Sequence, residues 1–299
     1  MKRRIFIKSS TLTVCSVAAF GTINWNGKTF EADNETTTDI LGPFYRPGAP
    51  MRTNIIPPGS RVDILHLHGT IFQKDGKTPL ANALIEVWQC DHNEHYDNTS
   101  DEYKFRGATK TGRDGKYTFK TMVPVPYKDG DGWRPAHIHL RISSANHQDL
   151  ITQIYFKGDP HIAEDAAAAS PQSINRILEI KKNSSNENAV KFDVVMSKSF
   201  PLDETVYRKI TGLYKLESGM AEFYHQGDLL FLKLNGQIME ALVYKGDNSF
   251  EGGMGFNKVK FELLSNGDVK AKITMWDSWS ADNKFLKIYE GIKVLKYGN

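Results

Sequence analysis

Residues 127–140 read YKDGDGWRPAHIHL. On a β-strand, positions i and i+2 point to the same face. His137 and His139 therefore project together, close enough to share a metal ion, while Ile138 and Leu140 suit a core. A His-x-His pair is a weak signal by itself, since His66 and His68 in LHLHG repeat the pattern. Two tyrosines strengthen it. Tyr127 precedes the turn signal KDGDG, which can fold it back over the strand. Tyr96 closes the stretch WQCDHNEHY, which leaves the apolar run NALIEVWQC. Two phenols and two imidazoles suit a hard, highly charged ion, whose charge favours phenol deprotonation well below the usual pKa of about 10. Zinc and copper sites use thiolate or imidazole far more often, so ferric iron is the natural candidate. Arg134 would add a cation beside such a site; a surface salt bridge is its bland alternative.

The elements that must position these residues read as β structure. RVDILHLHGTIF alternates with period two, and NALIEVWQC, AHIHLRIS, LITQIYF and FDVVMS are further strand candidates. KTGRDGKYTFKTM reads as a hairpin around RDGK, because Asp-Gly tolerates the positive φ of such a turn. The Ala-rich stretch AEDAAAASPQSINRILEIKK carries helical composition interrupted by Pro171. From about residue 200 the character changes to amphipathic strands joined by HQGD, LNGQ, KGDN and SNGD. The expected architecture is all-β: a β-sandwich catalytic domain over residues 26–199, then a small all-β domain over 200–299 with barrel-like or meander topology. That second domain could pack on the first, mediate dimers or bind a polymer. Trp276 and Trp279 would be its stacking platform or simply core.

The 299 residues include 38 basic and 35 acidic side chains. Lys2, Arg3, Arg4 and Lys8 supply four of those positive charges, so the remainder is near neutral and nothing asks for nucleic acid. The leader MKRRIFIKSSTLTVCSVAAF is basic, then mildly apolar, and too short and polar to span a bilayer. Residues 1–25 read as an export signal, with RRIFIK similar to a twin-arginine sequence. The expected location is periplasmic or extracellular. With the leader removed, Cys90 is the single cysteine, which forms no internal disulfide and reads as a small buried hydrophobe.

The blocks LGPFYRPGAPMRTNI, GKTPLANALIEVWQCDHNEHYDN, FRGATKTGRDGKYTFKTMVPVPY, RPAHIHLRI, LITQIYFKGDP and FDVVM resemble, in order and spacing, the intradiol ring-cleavage dioxygenases over roughly residues 38–197. The resemblance implies a β-sandwich holding Fe(3+) through Tyr96, Tyr127, His137 and His139, with Tyr127 and His137 axial. It also implies Arg134 and Gln153 as active-site residues. The substrate would be a small aromatic diol, cleaved with O2 between its hydroxyl-bearing carbons to a muconate-type diacid. Tyr127 would take one substrate proton, and Arg134 would stabilise developing negative charge.

This sequence departs from the family in the loop before Tyr96. There His92, Glu94 and His95 would either line the pocket or form a solvated loop. Phe44, Tyr45 and Arg52 fall where the family's N-terminal segment nears the pocket, with packing the expected role of Phe44. The alternative reading is a non-catalytic extracellular module binding a metal or a phenol. The complete donor set with Arg134 and Gln153 argues against it. A homo-oligomer is compatible with the sequence, which leaves oligomeric state and substrate open.

Overall fold

The computed structural model describes residues 35–130, 132–199, 202–276 and 286–295, with the backbone of a short ribbon formed by β1 (Ile23–Trp25) and β2 (Phe30–Ala32). Most of the expected export leader, and Trp279, lie outside the described residues. No helix among the described residues is long and apolar enough to cross a membrane.

Two sheets form a sandwich. The strands in chain order are β3 (Ile64–Phe72), β4 (Leu84–Trp88), β5 (Arg106–Lys110), β6 (Lys116–Met122), β7 (Tyr127–Asp129), β8 (Gly132–Arg134), β9 (His137–Ser143), β10 (Leu150–Phe156), β11 (Ile177–Leu178), β12 (Lys181–Lys182), β13 (Asn188–Lys191) and β14 (Val194–Val195). One sheet runs β11-β10-β9-β4-β5; the other runs β12-β13-β3-β14, with β6 also on β3. Their facing side chains, among them Leu65, Leu67, Phe119, Ile85, Val87, Ile138, Leu140, Ile142 and Ile154, make one core. Strands β7 and β8 form a separate hairpin.

Two local expectations fail. The RDGK segment is not a hairpin: β5 pairs with β4 while β6 pairs with β3. The turn at Gly112–Lys116 is a corner that carries the chain from one sheet to the other. The Ala-rich segment is not an α-helix. Asp165 accepts hydrogen bonds from the Ala167 and Ala168 amides, and the single Ser173 hydroxyl proton points among the Ala167, Ala168 and Ser170 carbonyls. These side chains take the bonding capacity a helix would use. Only a short 3-10 turn at Pro171–Arg176 remains. The one α-helix among the described residues, α1 (Glu204–Ile210), begins at Asp203, whose carboxylate caps the Thr205 amide at 2.7 Å.

The strands that follow are β15 (Gly212–Leu216), β16 (Met220–Gln226), β17 (Leu229–Leu234), β18 (Gln237–Gly246), β19 (Ser249–Glu251), β20 (Lys258–Leu263), β21 (Val269–Trp276) and β22 (Leu286–Leu295). They form a closed antiparallel barrel of sequential neighbours, sealed by β15 on β22. Phe223, Leu230, Leu232, Phe250 and Phe261 fill its interior, and Tyr207 and Ile210 of α1 join them. Trp276 packs on Phe256 at 4.3 Å between ring centres.

The barrel packs on the sandwich. In β17 the run Leu229-Leu230-Phe231-Leu232 is apolar on both faces, the mark of a strand buried on both sides. Leu230 and Leu232 point into the barrel, while Leu229 and Phe231 meet Leu41, Tyr45, Trp88 and Ile151. Residues 35–45 run as a strap between the two bodies. Thr36 and Asp39 amides bond to Val195 and Ile151 carbonyls on the sandwich side. On the barrel side Gln237 Nε2 donates to the Pro43 carbonyl at 3.2 Å, and the Leu41 amide to Glu240 Oε1 at 3.5 Å. Gly253 lies so close to the strap that an added Cβ would sit 1.8 Å from the Asp39 carbonyl oxygen.

Burial pushes the Glu240 carboxyl up to about 7, against hydrogen bonds from Asn257, Ala241 and Leu41 that favour its charge; Asp39 adds repulsion. The ordinary value is 4.5, so between there and about 7 the folded chain holds the proton more tightly than the unfolded one. The contribution to stability is full below pH 4.5 and is lost as pH rises through about 7. Its size is on the order of 3 kcal/mol, at about 1.4 kcal/mol per pKa unit. Urea denaturation of Glu240→Gln at pH 5 and pH 8 is expected to show this slope flattened. An unchanged slope would place the proton elsewhere.

Candidate metal centre

Strand β9 sends Ile138, Leu140 and Ile142 into the sandwich core, so alternation sends His137, His139 and Arg141 to the opposite face. That face is also buried: the two histidines are 2% and 1% exposed. In the sheet register Trp88 and Gln153 flank His139, and Tyr155 stands opposite His137. The hairpin places Tyr127 directly across from Arg134, both buried. Their neighbours Lys128 and Trp133 are exposed on the other side.

Tyr96 arrives on the loop after β4. Asp91 Oδ1 accepts from the Asn93 and His95 amides, and Arg106 ties the loop's far end through the Asp97 carbonyl at 2.8 Å and Asn98 Oδ1 at 2.9 Å. Phe44 of the strap stacks on the Tyr96 ring at 4.4 Å and 14°.

Three donor atoms converge. Tyr96 Oη lies 3.2 Å from His137 Nε2 and 3.2 Å from His139 Nε2, and the two Nε2 atoms are 3.1 Å apart. Ligands held at about 2.1 Å by one ion at near-right angles have this spacing. The Tyr127 hydroxyl hydrogen-bonds to that of Tyr96, so a fourth donor borders the triangle. His137 Nδ1 donates to the Pro135 carbonyl at 2.6 Å, which leaves Nε2 as the lone-pair nitrogen. Burial first, then the Arg134 charge, pushes His137 down to about 3. Burial, His137 and Arg134 hold His139 well below its ordinary value. Both imidazoles are therefore neutral and available as ligands. Burial raises both phenols above their ordinary value, with each tyrosine's electrostatic neighbours adding smaller effects; a bound cation would reverse that direction. Among the described residues no group of three or more His, Cys, Asp or Glu side chains could hold an ion. The mixed set Tyr96, Tyr127, His137 and His139 is of a different kind, and its hard oxygens and neutral nitrogens fit a metal ion.

Arg134 is held from two sides. Its Nε pairs with Asp165 Oδ2 at 2.6 Å, the two side chains being 1% and 0% exposed, and Nη2 donates to Gln153 Oε1 at 3.0 Å. Burial opposes the charge most strongly, and Asp165, Tyr127, Tyr155 and Asp39 together outweigh it. Gln153 Nε2 donates to the Ile40 carbonyl at 2.8 Å, and the one Tyr155 hydroxyl proton is shared between Asp39 Oδ2 at 3.0 Å and Gln153 Oε1 at 3.1 Å. Asp39 pairs with buried Arg176. Asp39, Asp165, Arg176 and Tyr155 were not singled out from sequence; the parity of β10 marks Tyr155, but nothing local marks the others. His92, Glu94 and His95 are exposed, so that loop is the solvated one. Arg52 is spent on the backbone carbonyls of Glu102, Tyr103 and Arg106. Cys90 is buried and free, its thiol pushed up to about 12 by burial.

A family described as Dioxygenase matches residues 40–198. Chlorocatechol 1,2-dioxygenase of Rhodococcus opacus is 35% identical over 46% of this chain and 62% of that protein. 6-chlorohydroxyquinol 1,2-dioxygenase of Cupriavidus pinatubonensis is 30% identical over 55% of this chain and 64% of that protein. The solved hydroxyquinol 1,2-dioxygenase from Pseudomonas putida DLL-E4 shares the fold, with a TM-score of 0.50 and 22% identity over 56% of this chain and 68% of that one. The chain spans less than two thirds of the length of these two curated relatives. The barrel lies outside the family match.

Asp165→Asn keeps the side chain's shape but removes the counter-charge of buried Arg134. Breaking one side of a buried pair costs about 3–5 kcal/mol, and a loss of that size is expected in chemical denaturation. An Asn variant as stable as the parent would show that Gln153 alone suffices to hold the guanidinium.

Proposed function

The chain belongs to the intradiol ring-cleavage dioxygenase family, and on that premise we propose that it cleaves a catechol-type ring between the two hydroxyl-bearing carbons, inserting both atoms of O2 to give a muconate-type diacid. The cofactor in this reading is Fe(3+), held by Tyr96, Tyr127, His137 and His139. The observation that carries it is the triangle of Tyr96 Oη, His137 Nε2 and His139 Nε2, with sides of 3.1–3.2 Å, on a buried face. The relatives' names support a catechol or hydroxyquinol as substrate class. The basic leader supports action outside the cytoplasm.

Held by Tyr96, Tyr127, His137 and His139, ferric iron would supply Lewis acidity that makes a catecholate ring reactive toward O2. The chain's own residues do the rest. Neutral His137 and His139 keep their lone pairs on the ion across the physiological range, since burial resists their protonation. Tyr127 Oη, beside Tyr96, takes a proton from one substrate hydroxyl when it is in its phenolate form. Arg134, fixed by Asp165 and Gln153, presents a permanent positive charge that stabilises negative charge developing on the substrate. Phe44 stacks on Tyr96 and stands edge-on to Tyr127 at 6.3 Å, so it supplies an apolar wall beside both phenols.

Purified protein is expected to carry one iron per chain, with a red tyrosinate-to-iron absorption band that shifts on adding catechol without O2. His137→Ala and His139→Ala are each expected to lose the iron and the band together. A chain that stays colourless after ferric loading overturns the enzyme reading; a histidine variant that keeps full iron and activity overturns the ligand assignment.

A further inference from the structure

The two imidazoles are oriented by different means. Metal-binding histidines are normally fixed by a hydrogen bond from the second ring nitrogen, and His137 has one, to the Pro135 carbonyl. His139 Nδ1 is buried and finds no hydrogen-bond partner among the described residues. Packing sets its plane instead. The Trp88 indole lies flat on the His139 ring, with centres 4.8 Å apart and planes within 7°. Gly42 of the strap also backs the ring: an added Cβ there would lie 3.4 Å from His139 Cε1.

Trp88 is itself without a hydrogen bond at Nε1 among the described residues, so its position also depends on what packs against it. Tyr45 does so at 5.0 Å and 58°. The Tyr45 hydroxyl accepts from Arg141 Nη1 at 2.8 Å and donates toward Glu86 at 3.3 Å. Its ring stacks on Phe231 of the barrel, at 6.0 Å and 20°. Phe231 stacks in turn on Tyr224 at 5.1 Å and 13°, and the Arg141 guanidinium lies 5.2 Å above the Phe231 ring. A column of aromatic side chains therefore runs from the outer wall of the barrel to a candidate metal ligand. Tyr45 sits on a strap segment with no strand pairing of its own, so its ring is held between Trp88 of the sandwich and Phe231 of the barrel.

We propose that Phe231 is a positioning residue of the metal centre: through Tyr45 and Trp88 it holds the plane of His139, in place of a hydrogen bond to Nδ1. The proposal rests on the ferric reading of the site given above. It assigns the barrel, which the family match does not cover, a part in the centre itself.

The test uses the iron-loaded full chain. Phe231→Ala is compared with Leu229→Ala, which removes an aliphatic side chain from the same face of β17 and the same interface but leaves every ring of the column in place. Iron release to a competing chelator and the electron paramagnetic resonance signal of the ferric ion are recorded, with thermal melting as the check on folding. Loss of an orienting partner typically weakens metal binding 10- to 100-fold, and Phe231→Ala, acting through two rings, is expected to speed iron release by about tenfold and broaden the ferric signal. Leu229→Ala is expected to melt earlier yet release iron within about twofold of the parent. Phe231→Leu fills most of the volume without a ring, and carries the test if the Ala variant does not fold. Parent-like iron release in the Phe231 variants, or equal loss in Leu229→Ala, overturns the proposal. A parent chain that takes up no iron overturns the ferric centre itself, and this inference with it.

Discussion

Everything at this site depends on the alternation of one strand. In β9, Ile138, Leu140 and Ile142 face the sandwich core while His137, His139 and Arg141 face away. A slip of one residue would exchange the two sets, putting three ionisable groups into the core. The register is therefore held by the apolar set, and the histidines inherit their direction from it. Neighbouring strands extend the same logic. Val87 and Ile154 point inward, so Trp88, Gln153 and Tyr155 must point outward, and a row of aromatic and polar side chains forms around the donor atoms.

Such a face cannot be buried without partners, since unpaired polar groups are costly away from water. The chain covers it with the β7–β8 hairpin, the loop bearing Tyr96 and the strap, and it pairs three of the arginines it buries there with carboxylates, while Arg106 is held by the Asp97 carbonyl and Asn98 Oδ1. Arg134 meets Asp165, Arg176 meets Asp39, and Arg141 meets Asp149 with Glu86 at its edge. Gln153 and Tyr155 connect the first two pairs. Arg134 has a consequence for the chemistry. Its charge helps keep both imidazoles unprotonated, and in the proposed reaction the same charge would face the anion developing on the substrate. Buried pairs are weak sources of net stability, so the network is better understood as what fixes a positive charge at a chosen place.

The four side chains that the fold brings together, Tyr96, Tyr127, His137 and His139, were legible because their signals are local. Two histidines at alternate positions, a tyrosine ahead of a Gly-Asp turn and a second tyrosine ending a loop are readable without knowing what packs on them. The all-β class was legible for the same reason, through strand periodicity. What escaped was decided by distant partners. The RDGK turn has hairpin chemistry, but the sheet that Lys116–Met122 joins is chosen by pairing with Ile64–Phe72, far back in the chain. The Ala-rich stretch has helix propensity, yet Asp165 and Ser173 spend its backbone groups locally, and the Asp165 carboxylate is needed for an arginine thirty-odd residues away. Asp39 and Arg176 meet across 137 residues, a pairing that no window of sequence displays. The barrel contact does leave a local signal: Leu229–Leu232 is apolar at every position, which a strand with one solvated face has no reason to be.

That run explains why the barrel is not a mere appendage in this structure. A barrel whose interior is already filled by Phe223, Phe250 and Phe261 has no need of Phe231 and Leu229 on its outside unless that outside is covered. The strap is what they help cover. Its residues Leu41 and Tyr45 pack against the barrel, while Asp39 and Ile40 bond into the network around Gln153 and Arg134. The strap has no strand partners along 40–45, so its conformation is defined by being gripped on both sides: Gly253 against Asp39, Gln237 against Pro43, Glu240 against Leu41. The same segment supplies Gly42 behind His139 and Phe44 on Tyr96. Two donor groups thus lean on a strip of chain whose outer wall belongs to the barrel, and the geometry of the centre is a property of both bodies together rather than of the sandwich alone.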